Sequence, residues 1–372
     1  MAVAQGNMPH SLPGSEAPPR ISTWQQIAIN LFWFANNFHW QALLFVILPS
    51  QVGRLLGETS AQEAANYPRV VVWGTLVAIL VNPMTGAISD YARFKLGRRR
   101  PFLIIGTIPN VLALFGLAFA AQIGDAIRPW LGGSTNMAVL VTMAVLFVIL
   151  QFSNNFANSP WSAIIADKVP PEQRGSASGF YGLMTLLGTI AGAVLAGSLL
   201  NSNAPLDVYK NELIVSYAVI SGVQVIFVAI TVVTVRERPL TSARRFHISL
   251  LWRLYWINPR KYPDFAWLLL TRLLMLTGIW AVTNFLLFYF QHVLGADLVS
   301  RGISPEAAVG SYFLPVVMVT AVATTLLAGK FSDRIGRKKL VYVSGAVMSV
   351  VCLLFIFAQS FPGAMIAAAF FG

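Results

Sequence analysis

The segment from Trp33 to Gln41 reads WFANNFHWQ and places two asparagines, a histidine and a glutamine inside an otherwise apolar run. An amide without a hydrogen-bond partner in hydrocarbon costs several kcal/mol, so these groups must face something other than lipid. On a helix with about 100° per residue, six polar or aromatic residues share an arc of about 140°: Asn30, Trp33, Asn36, Asn37, Trp40 and Gln41. Because amides bond hydroxyl groups and indole rings stack on the apolar face of a sugar ring, this stripe predicts a surface that binds a neutral polyol.

Two further apolar runs carry stripes of the same kind. One consists of Gln151, Asn154, Asn155, Asn158, Ser159 and Ser162, and the other of Thr277, Trp280, Asn284, Phe288 and Gln291. The alternative interpretation is that the amides join neighbouring helices, each contributing about 0.6 kcal/mol. We favour a common cavity and predict that substrate is bound by Trp33, Asn36, Asn37, Trp40, Gln41, Gln151, Asn155, Asn158, Ser162, Trp280, Asn284 and Gln291.

His39 and Arg272 are the titratable residues that lie away from the ends of the apolar runs. A histidine changes charge near neutral pH and can relay protons inside a membrane, so both residues are candidates for ion coupling. His39 lies outside the polar arc and could instead bond a neighbouring helix. Arg272 could extend to the membrane surface or pair with a carboxylate in helices beyond the end of this chain.

The elements that position these residues are membrane-spanning helices. The chain is 56% hydrophobic and 11% charged, whereas soluble domains are about 25% charged. A spanning helix needs roughly 20 apolar residues, and such runs lie near 24–48, 70–89, 101–122, 137–166, 177–199, 213–235, 266–291, 307–328 and 340–359. A tenth run begins near Ala364 and stops at Gly372, so we expect an all-α integral membrane protein that is truncated at its C-terminus.

The distribution of basic residues predicts the orientation of the helices. The loops between runs two and three, four and five, six and seven, and eight and nine hold 19 of the 26 Lys and Arg residues. Cytoplasmic loops carry this excess, so the net charge of +12 indicates a membrane protein rather than a partner of nucleic acid. We expect residues 1–23 to form a disordered cytoplasmic tail. The single cysteine, Cys352, lies within a run, which leaves no disulfide framework or thiol metal site.

Two pairs of motifs indicate an internal duplication. GAISDYARFKLGRRR (Gly86–Arg100) follows the second run, and GKFSDRIGRKK (Gly329–Lys339) follows the eighth, 243 positions later. WFANNF, starting at Trp33, matches WAVTNF, starting at Trp280, 247 positions later. Both pairs relate run n to run n+6. We therefore predict a six-helix bundle over 24–235, a cytoplasmic linker with an interfacial helix over 236–264, and a partial second bundle over 265–372.

The doubled G-x-x-x-D…G-R-[RK] loop resembles the signature loop of the major facilitator superfamily, as does ADKVPPEQRGSASG (Ala166–Gly179). GRRRPF (Gly97–Phe102) and LLLTRLLMLTG (Leu268–Gly278) are similar to its branch of sucrose and glycoside–pentoside–hexuronide cation symporters. That branch has an arginine two residues after a span-four proline, where this chain has Ser162. The resemblance implies two pseudo-symmetric six-helix bundles, a cavity lined by the first and fourth helix of each, and a cytoplasmic latch made by Gly86, Asp90, Gly97, Arg98, Arg99, Asp167, Arg174, Gly329, Asp333, Arg334, Gly336, Arg337 and Lys338.

These features together predict a secondary transporter that moves a sugar or glycoside with a proton or other cation by alternating access. A uniporter or exporter of another small organic solute is the alternative within transport, and a membrane sensor on the same scaffold is the alternative outside it. We expect no enzyme activity, no cofactor and no metal. The expected partners are a small solute, a co-transported proton or cation and the bilayer of the plasma or inner membrane, with the protein acting as a monomer.

Overall fold

The computed structural model describes residues 19–57, 59–235, 237, 260–335 and 337–372, except for the side chains of 60 and 325–341. Within those residues the chain is helical and has eight helices that are long and apolar enough to cross a membrane. Two shorter apolar helices follow, at Tyr342–Phe357 and Phe361–Phe371. The predicted all-α membrane fold is confirmed, and the ten helices coincide with the ten apolar runs of the sequence.

We number the helices in chain order. They are α1 (Thr23–Leu56), α2 (Ser60–Tyr91), α3 (Arg100–Ala118), α4 (Ala120–Leu131), α5 (Thr135–Lys168), α6 (Arg174–Leu199), α7 (Leu206–Thr234), α8 (Pro263–His292), α9 (Gly295–Ser300), α10 (305–335), α11 (Arg337–Phe357) and α12 (Phe361–Phe371). A π-helical turn interrupts α1 at Leu43–Ile47 and α10 at Ala308–Phe313.

Short polar side chains start several of these helices. Ser22 accepts from the backbone N–H of Gln25 while the Gln25 side chain accepts from the backbone N–H of Ser22, which is a capping box. Ser134 and Ser304 cap α5 and α10 in the same way through their hydroxyl oxygens. Because the first backbone N–H groups of a helix have no partner within it, these residues fix where each helix begins.

The first six spanning helices pack closely with one another. Helix α1 packs on α6 and α7, α2 on α5, and α3 on α5 and α7. A Cβ atom at Gly192 of α6 would lie 2.2 Å from the backbone oxygen of Phe38 in α1, so only glycine permits this approach. Small residues allow membrane helices to pack at such short range.

In the described part of the chain, the second group of helices contacts the first toward one end. Helix α10 packs on α6 where Gly310 meets Gly197, and α8 contacts α1 and α2 through Phe45 and Tyr67. The other half of α8, residues 263–281, is almost entirely exposed. We call the end with these contacts the contact end, and the end that holds Asp90, Arg99 and Asp167 the basic end. The division into two bundles stays a prediction, and the predicted interfacial helix (246–257) lies outside the described residues.

Candidate functional site

A cavity of about 450 Å³ opens near the basic end between α1, α2, α5 and α6. Its walls combine amides, hydroxyls and aromatic rings, and we call it the amide–aromatic pocket. It is lined by Trp33, Asn82, Asn158, Ser159, Trp161, Ser162, Ile165, Ala166, Arg174, Ser178 and Tyr181. Three of the predicted substrate-binding residues, Trp33, Asn158 and Ser162, therefore share one cavity, together with Arg174 from the predicted latch.

Three stacked rings form the aromatic wall of this pocket. The Trp33 centroid lies 5.0 Å from those of Trp161 and Tyr181, with interplanar angles of 1° and 18°, and the Trp161 and Tyr181 centroids lie 6.1 Å apart, so the three rings form one cluster. The indole N–H of Trp33 donates to Thr185 Oγ1 at 2.6 Å, and that of Trp161 donates to the Ile29 backbone oxygen at 2.7 Å. These bonds hold the ring planes in a fixed orientation, which preorganises the aromatic wall of the pocket.

The polar wall of the pocket contains groups whose hydrogen-bonding capacity is not fully used. Asn158 Oδ1 is buried and has no partner among the described residues. Ser162 Oγ donates to the Ser159 backbone oxygen at 2.7 Å, and Arg174 makes only a long bond of 3.5 Å to the Ala166 backbone oxygen. Arg174 is the one charged residue among the described residues of the lining, which suits an uncharged ligand rich in hydroxyl groups.

A second set of predicted residues joins α1 to α5. Asn154 Nδ2 donates to Asn36 Oδ1 at 2.8 Å, and Trp40 Nε1 donates to Asn154 Oδ1 at 3.2 Å. Asn36 is 7% exposed, so in this conformation it contacts a helix and no solvent-filled space. This geometry is the one that the helix-joining interpretation describes. A substrate-binding role for Asn36 stays a prediction.

The remaining amides of α1 and α5 lie half-buried along the interior. Asn37 and Asn155 each donate Nδ2 to the backbone oxygen four residues earlier, at 2.8 Å in both cases. Gln151 Oε1 also accepts from Asn155 Nδ2 at 3.2 Å. These bonds turn the amide nitrogens back on their own helices and leave Asn37 Oδ1 and Asn155 Oδ1 for other donors. Gln41 is half-buried on the same side of α1.

The three predicted residues of α8 lie nearer the contact end. Trp280 is 46% exposed and stacks on Phe45 of α1 at 6.0 Å. Asn284 Oδ1 accepts from the Tyr67 hydroxyl at 2.8 Å, which joins α8 to α2. Gln291 lies further along and donates to Glu306 Oε1 at 3.5 Å. The structure thus distributes the predicted residues along the whole length of the interior instead of placing them in one cavity.

The two candidates for ion coupling differ in burial. His39 is completely buried, its ring stacks on Trp40 at 4.7 Å, and neither ring nitrogen has a partner among the described residues. Arg272 is exposed, on the half of α8 that is almost entirely exposed. Neither residue lines the amide–aromatic pocket, and their coupling roles stay predictions.

The predicted latch residues of the first loop form a charged cluster at the basic end. Arg99 lies between Asp90 and Asp167, with N–O separations of 3.1 Å and 3.0 Å, and Arg98 also pairs with Asp167. Glu237 caps α3 by accepting from the backbone N–H groups of Arg99 and Arg100 at 2.8 Å and 3.0 Å. Burial lowers the pKa of Arg99, and Asp167 opposes that effect; an arginine remains charged in such a site.

Two glycines of this motif lie in tight surroundings, and at Gly97 the backbone conformation itself favours glycine. Gly97 has φ of 110°, a conformation that side chains rarely adopt, and a Cβ atom at Gly86 would lie 2.7 Å from Ser159 Oγ. Arg174 makes no ion pair among the described residues and lines the amide–aromatic pocket instead. The predicted latch residues of the second loop cannot be compared in the same way, because their side chains lie outside the described residues. They are Gly329, Asp333, Arg334, Arg337 and Lys338, and Gly336 lies outside entirely.

Sequence reasoning missed two carboxylates. Glu237 follows the sixth run at the start of the predicted linker, and Glu306 stands at the start of the eighth run, after Ser304 and Pro305. Glu306 is 0% exposed and bonds Ser50 of α1, more than 250 positions away in the chain. The helix-start signal of Ser-Pro-Glu is visible in the sequence, but nothing local reveals that the chain from α1 covers it.

Comparison with known proteins agrees with this architecture. The family model described as Major Facilitator Superfamily matches residues 27–372. The chain belongs to the Major Facilitator Superfamily. The match confirms the family that the paired loops predicted, and it places the chain among transporters rather than enzymes.

Curated proteins resemble part of the chain. Sucrose transport protein SUC3 of Arabidopsis thaliana is 31% identical over 130 residues, which are 32% of this chain and 22% of that protein. Sucrose transport protein SUT2 of Oryza sativa subsp. indica is 34% identical over 133 residues, which are 33% of this chain and 26% of that protein. The chain therefore matches about a quarter of the length of these relatives.

Solved superfamily structures share the fold over nearly the whole chain. The nucleoside transporter NupG covers 93% of this chain and 78% of its own, with a TM-score of 0.62 and 14% identity. A D-xylose–proton symporter covers 94% of this chain and 79% of its own, with a TM-score of 0.57 and 16% identity. At these identities the likeness concerns the fold.

Proposed function

We propose that the protein is a secondary transporter that moves a sugar or glycoside, together with a proton or other cation, by alternating access. The amide–aromatic pocket carries this proposal. It offers a stacked aromatic wall, amide and hydroxyl groups with free capacity, and a single charge. The partial likeness to two proteins named as sucrose transporters supports the same substrate class.

The shape of the pocket fits a neutral hydroxylated ring. A sugar presents an apolar face of C–H groups and an edge of hydroxyls, and the stacked rings of Trp33 and Tyr181 suit the first while Asn82 and Asn158 suit the second. Among the described lining residues, an anionic substrate would find one positive charge, Arg174, and a cationic substrate would find no carboxylate. The chemistry therefore favours an uncharged substrate.

The asymmetry between the two ends supports alternating access. The helices of the two halves touch at the contact end, while the amide–aromatic pocket lies near the basic end. We propose that the basic end faces the cytoplasm of a plasma or inner membrane, because most Lys and Arg residues belong to its loops. The conformation seen then opens inward, and transport requires the contacts to move from one end to the other.

Thermal stabilisation of the purified protein by ligands tests the substrate class. A ligand that binds only the folded state raises the melting temperature by mass action. We expect mono- or disaccharides to raise it, and polyols, amino acids and nucleosides to leave it unchanged. Asn158→Ala should abolish the shift, and the matched change Asn211→Ala, on the exposed face of α7, should preserve it. A shift confined to another solute class would remove the sugar assignment and leave a transporter of that solute.

A further inference from the structure

Glu306 is a buried carboxyl group between the two halves of the protein at the contact end. It lies in the first turn of α10 and is 0% exposed. Its Oε1 accepts from Ser50 Oγ of α1 at 2.8 Å and from Gln291 Nε2 of α8 at 3.5 Å. Its Oε2 accepts from the backbone N–H of Ser202, between α6 and α7, at 3.1 Å. At the contact end, donors from α1, from α8 and from the segment between α6 and α7 thus all bond this one side chain.

Every donor that reaches Glu306 is neutral. Among the described residues, no Lys, Arg or His nitrogen lies within 4.0 Å of its oxygens, so it has no ion pair there. Removing an unpaired carboxylate from water costs several kcal/mol, and neutral hydrogen bonds return only part of that. Enclosure of Glu306 between the halves therefore favours the uncharged acid.

The hydrogen-bond network around Glu306 can hold a proton without losing a bond. Ser50 Oγ and the Tyr209 hydroxyl are 2.9 Å apart, and either oxygen can be the donor. With a proton on Oε1, Glu306 donates to Ser50 and Ser50 donates to Tyr209, while the Ser202 N–H still bonds Oε2. Gln291 Oε1 is buried without a partner in the described part of the chain. A rotation of the Gln291 amide by half a turn would place this oxygen toward Glu306 as a second acceptor for its proton.

Other titratable groups lie near Glu306, and a test must distinguish their effect on any pH response from that of Glu306. From α1, the Arg54 guanidinium donates to the Ala204 backbone oxygen at 3.0 Å. From α7, Glu212 accepts from the Asn201 backbone N–H at 2.9 Å, and Tyr209 bonds Ser50. From α8, His292 bonds Glu63 of α2 at 2.5 Å. The face of α6 that packs on α10 offers Ala193 and Gly197, which do not titrate.

We propose that the contact end closes with the uptake of one proton from the adjacent solvent onto Glu306, and reopens when that proton leaves. This inference rests on the proposed function in assuming that the two halves alternate between ends. It makes closure of the contact end more favourable at lower pH. The ratio of closed to open molecules should change by up to tenfold per pH unit across the range in which the carboxyl titrates.

The distance between the two halves at the contact end tests the proposal without any substrate. Cys352 is the only cysteine, so a Cys352→Ala background allows spin labels at Trp130→Cys and Val299→Cys, which are 90% and 69% exposed. Distances are measured by electron resonance in lipid nanodiscs between about pH 5 and about pH 9, a range that spans an ordinary and a strongly shifted carboxyl. The variants are Glu306→Gln, which imitates the protonated acid, and the controls Glu212→Gln and His292→Gln.

We expect the short distance to gain population at low pH in the protein with its native Glu306. Glu306→Gln should hold the short distance at every pH, and both control variants should keep the pH response. A distance that does not depend on pH in the protein with native Glu306 overturns the proposal. This measurement does not depend on whether any Glu306 variant folds. A pH response that persists in Glu306→Gln, or a long distance throughout in that variant, overturns it as well. A response that depends on Glu306 supports it even if no sugar binds, in which case only the substrate assignment fails.

Discussion

At the scale of single residues, the candidate site depends on rings and amides whose orientation is fixed by neighbours. Trp33 is bonded at its indole N–H and stacked with two neighbouring rings, so its ring position costs little entropy when a ligand arrives. Asn158 provides an acceptor that no described residue satisfies. A ligand hydroxyl that donates to Asn158 would therefore relieve an unsatisfied group as well as add a bond.

Replacement of the central ring should weaken sugar binding. Trp33→Leu removes the stacking surface and the bond to Thr185, and we expect the dissociation constant of the stabilising sugar to rise by about tenfold or more. Thermal titration against sugar concentration measures it. Trp24→Leu is the matched control, because Trp24 belongs to the same helix and is 58% exposed. Equal losses in the two variants would contradict a special role for Trp33.

At the scale of secondary-structure elements, close helix contacts hold the site together. Helices α1 and α6 supply Trp33 and Tyr181, and the glycines of α6 set the spacing between them. Gly192→Val would place side-chain carbon against the Phe38 backbone, and we expect a loss of stability of about 1–3 kcal/mol. The melting temperature of the purified protein without ligand reports this loss.

The same helix offers the control for this prediction. Gly182 has nothing within 4 Å of a Cβ atom, so Gly182→Val should change the melting temperature by much less. If the two variants were destabilised equally, helix propensity and not helix contact would explain the effect.

The charged cluster at the basic end is an element-scale feature too, because it ties α2, α3 and α5 together. Asp90→Asn leaves Arg99 with one carboxylate instead of two, and we expect several-fold slower transport with sugar affinity retained. Asp207→Asn, at the exposed start of α7, is the control. Loss of affinity without a change in the maximal rate would contradict a conformational role.

At the scale of the whole molecule, Gly310 and Gly197 allow α10 and α6 to approach closely where the two halves meet. A Cβ atom at Gly310 would lie 2.3 Å from the Ala193 backbone oxygen. Gly310→Val should therefore keep the contact end open and lengthen the distance between labels at positions 130 and 299. Gly278→Val, which has open space around it, should not. An unchanged distance in a folded Gly310→Val protein would mean that this contact does not control closure.

Much of the molecule could be predicted from the sequence because lipid imposes simple rules. Ten apolar runs gave the ten helices, and the doubled loop gave the family. Asp90, Arg99 and Asp167 lie together at the basic end, where the resemblance groups them, and their role as a latch stays a prediction. These features depend on helix periodicity, hydropathy or short-range charge, all of which one sequence displays.

The remainder depends on contacts between distant parts of the chain. A helical wheel shows that Asn36 and Trp33 share a face of α1. It cannot show that Asn154 bonds and covers Asn36, whereas Trp33 lines a cavity. Glu306 is buried because Ser50 and Ser202, both distant in the chain, pack on it. Glu237 caps α3 because the chain after α7 returns to the start of α3. Such information appears only when the packing of the helices is known.

Sugar exchange across liposomes tests the central claim most directly. Purified protein is reconstituted with unlabelled sugar inside, and entry of radiolabelled sugar is followed over time. Alternating access predicts saturable entry that internal sugar accelerates, that Trp24→Leu retains and that Trp33→Leu weakens. Entry no faster than in protein-free liposomes for every sugar that is tried, or exchange that Trp33→Leu leaves unchanged, would contradict a sugar transporter built around this pocket.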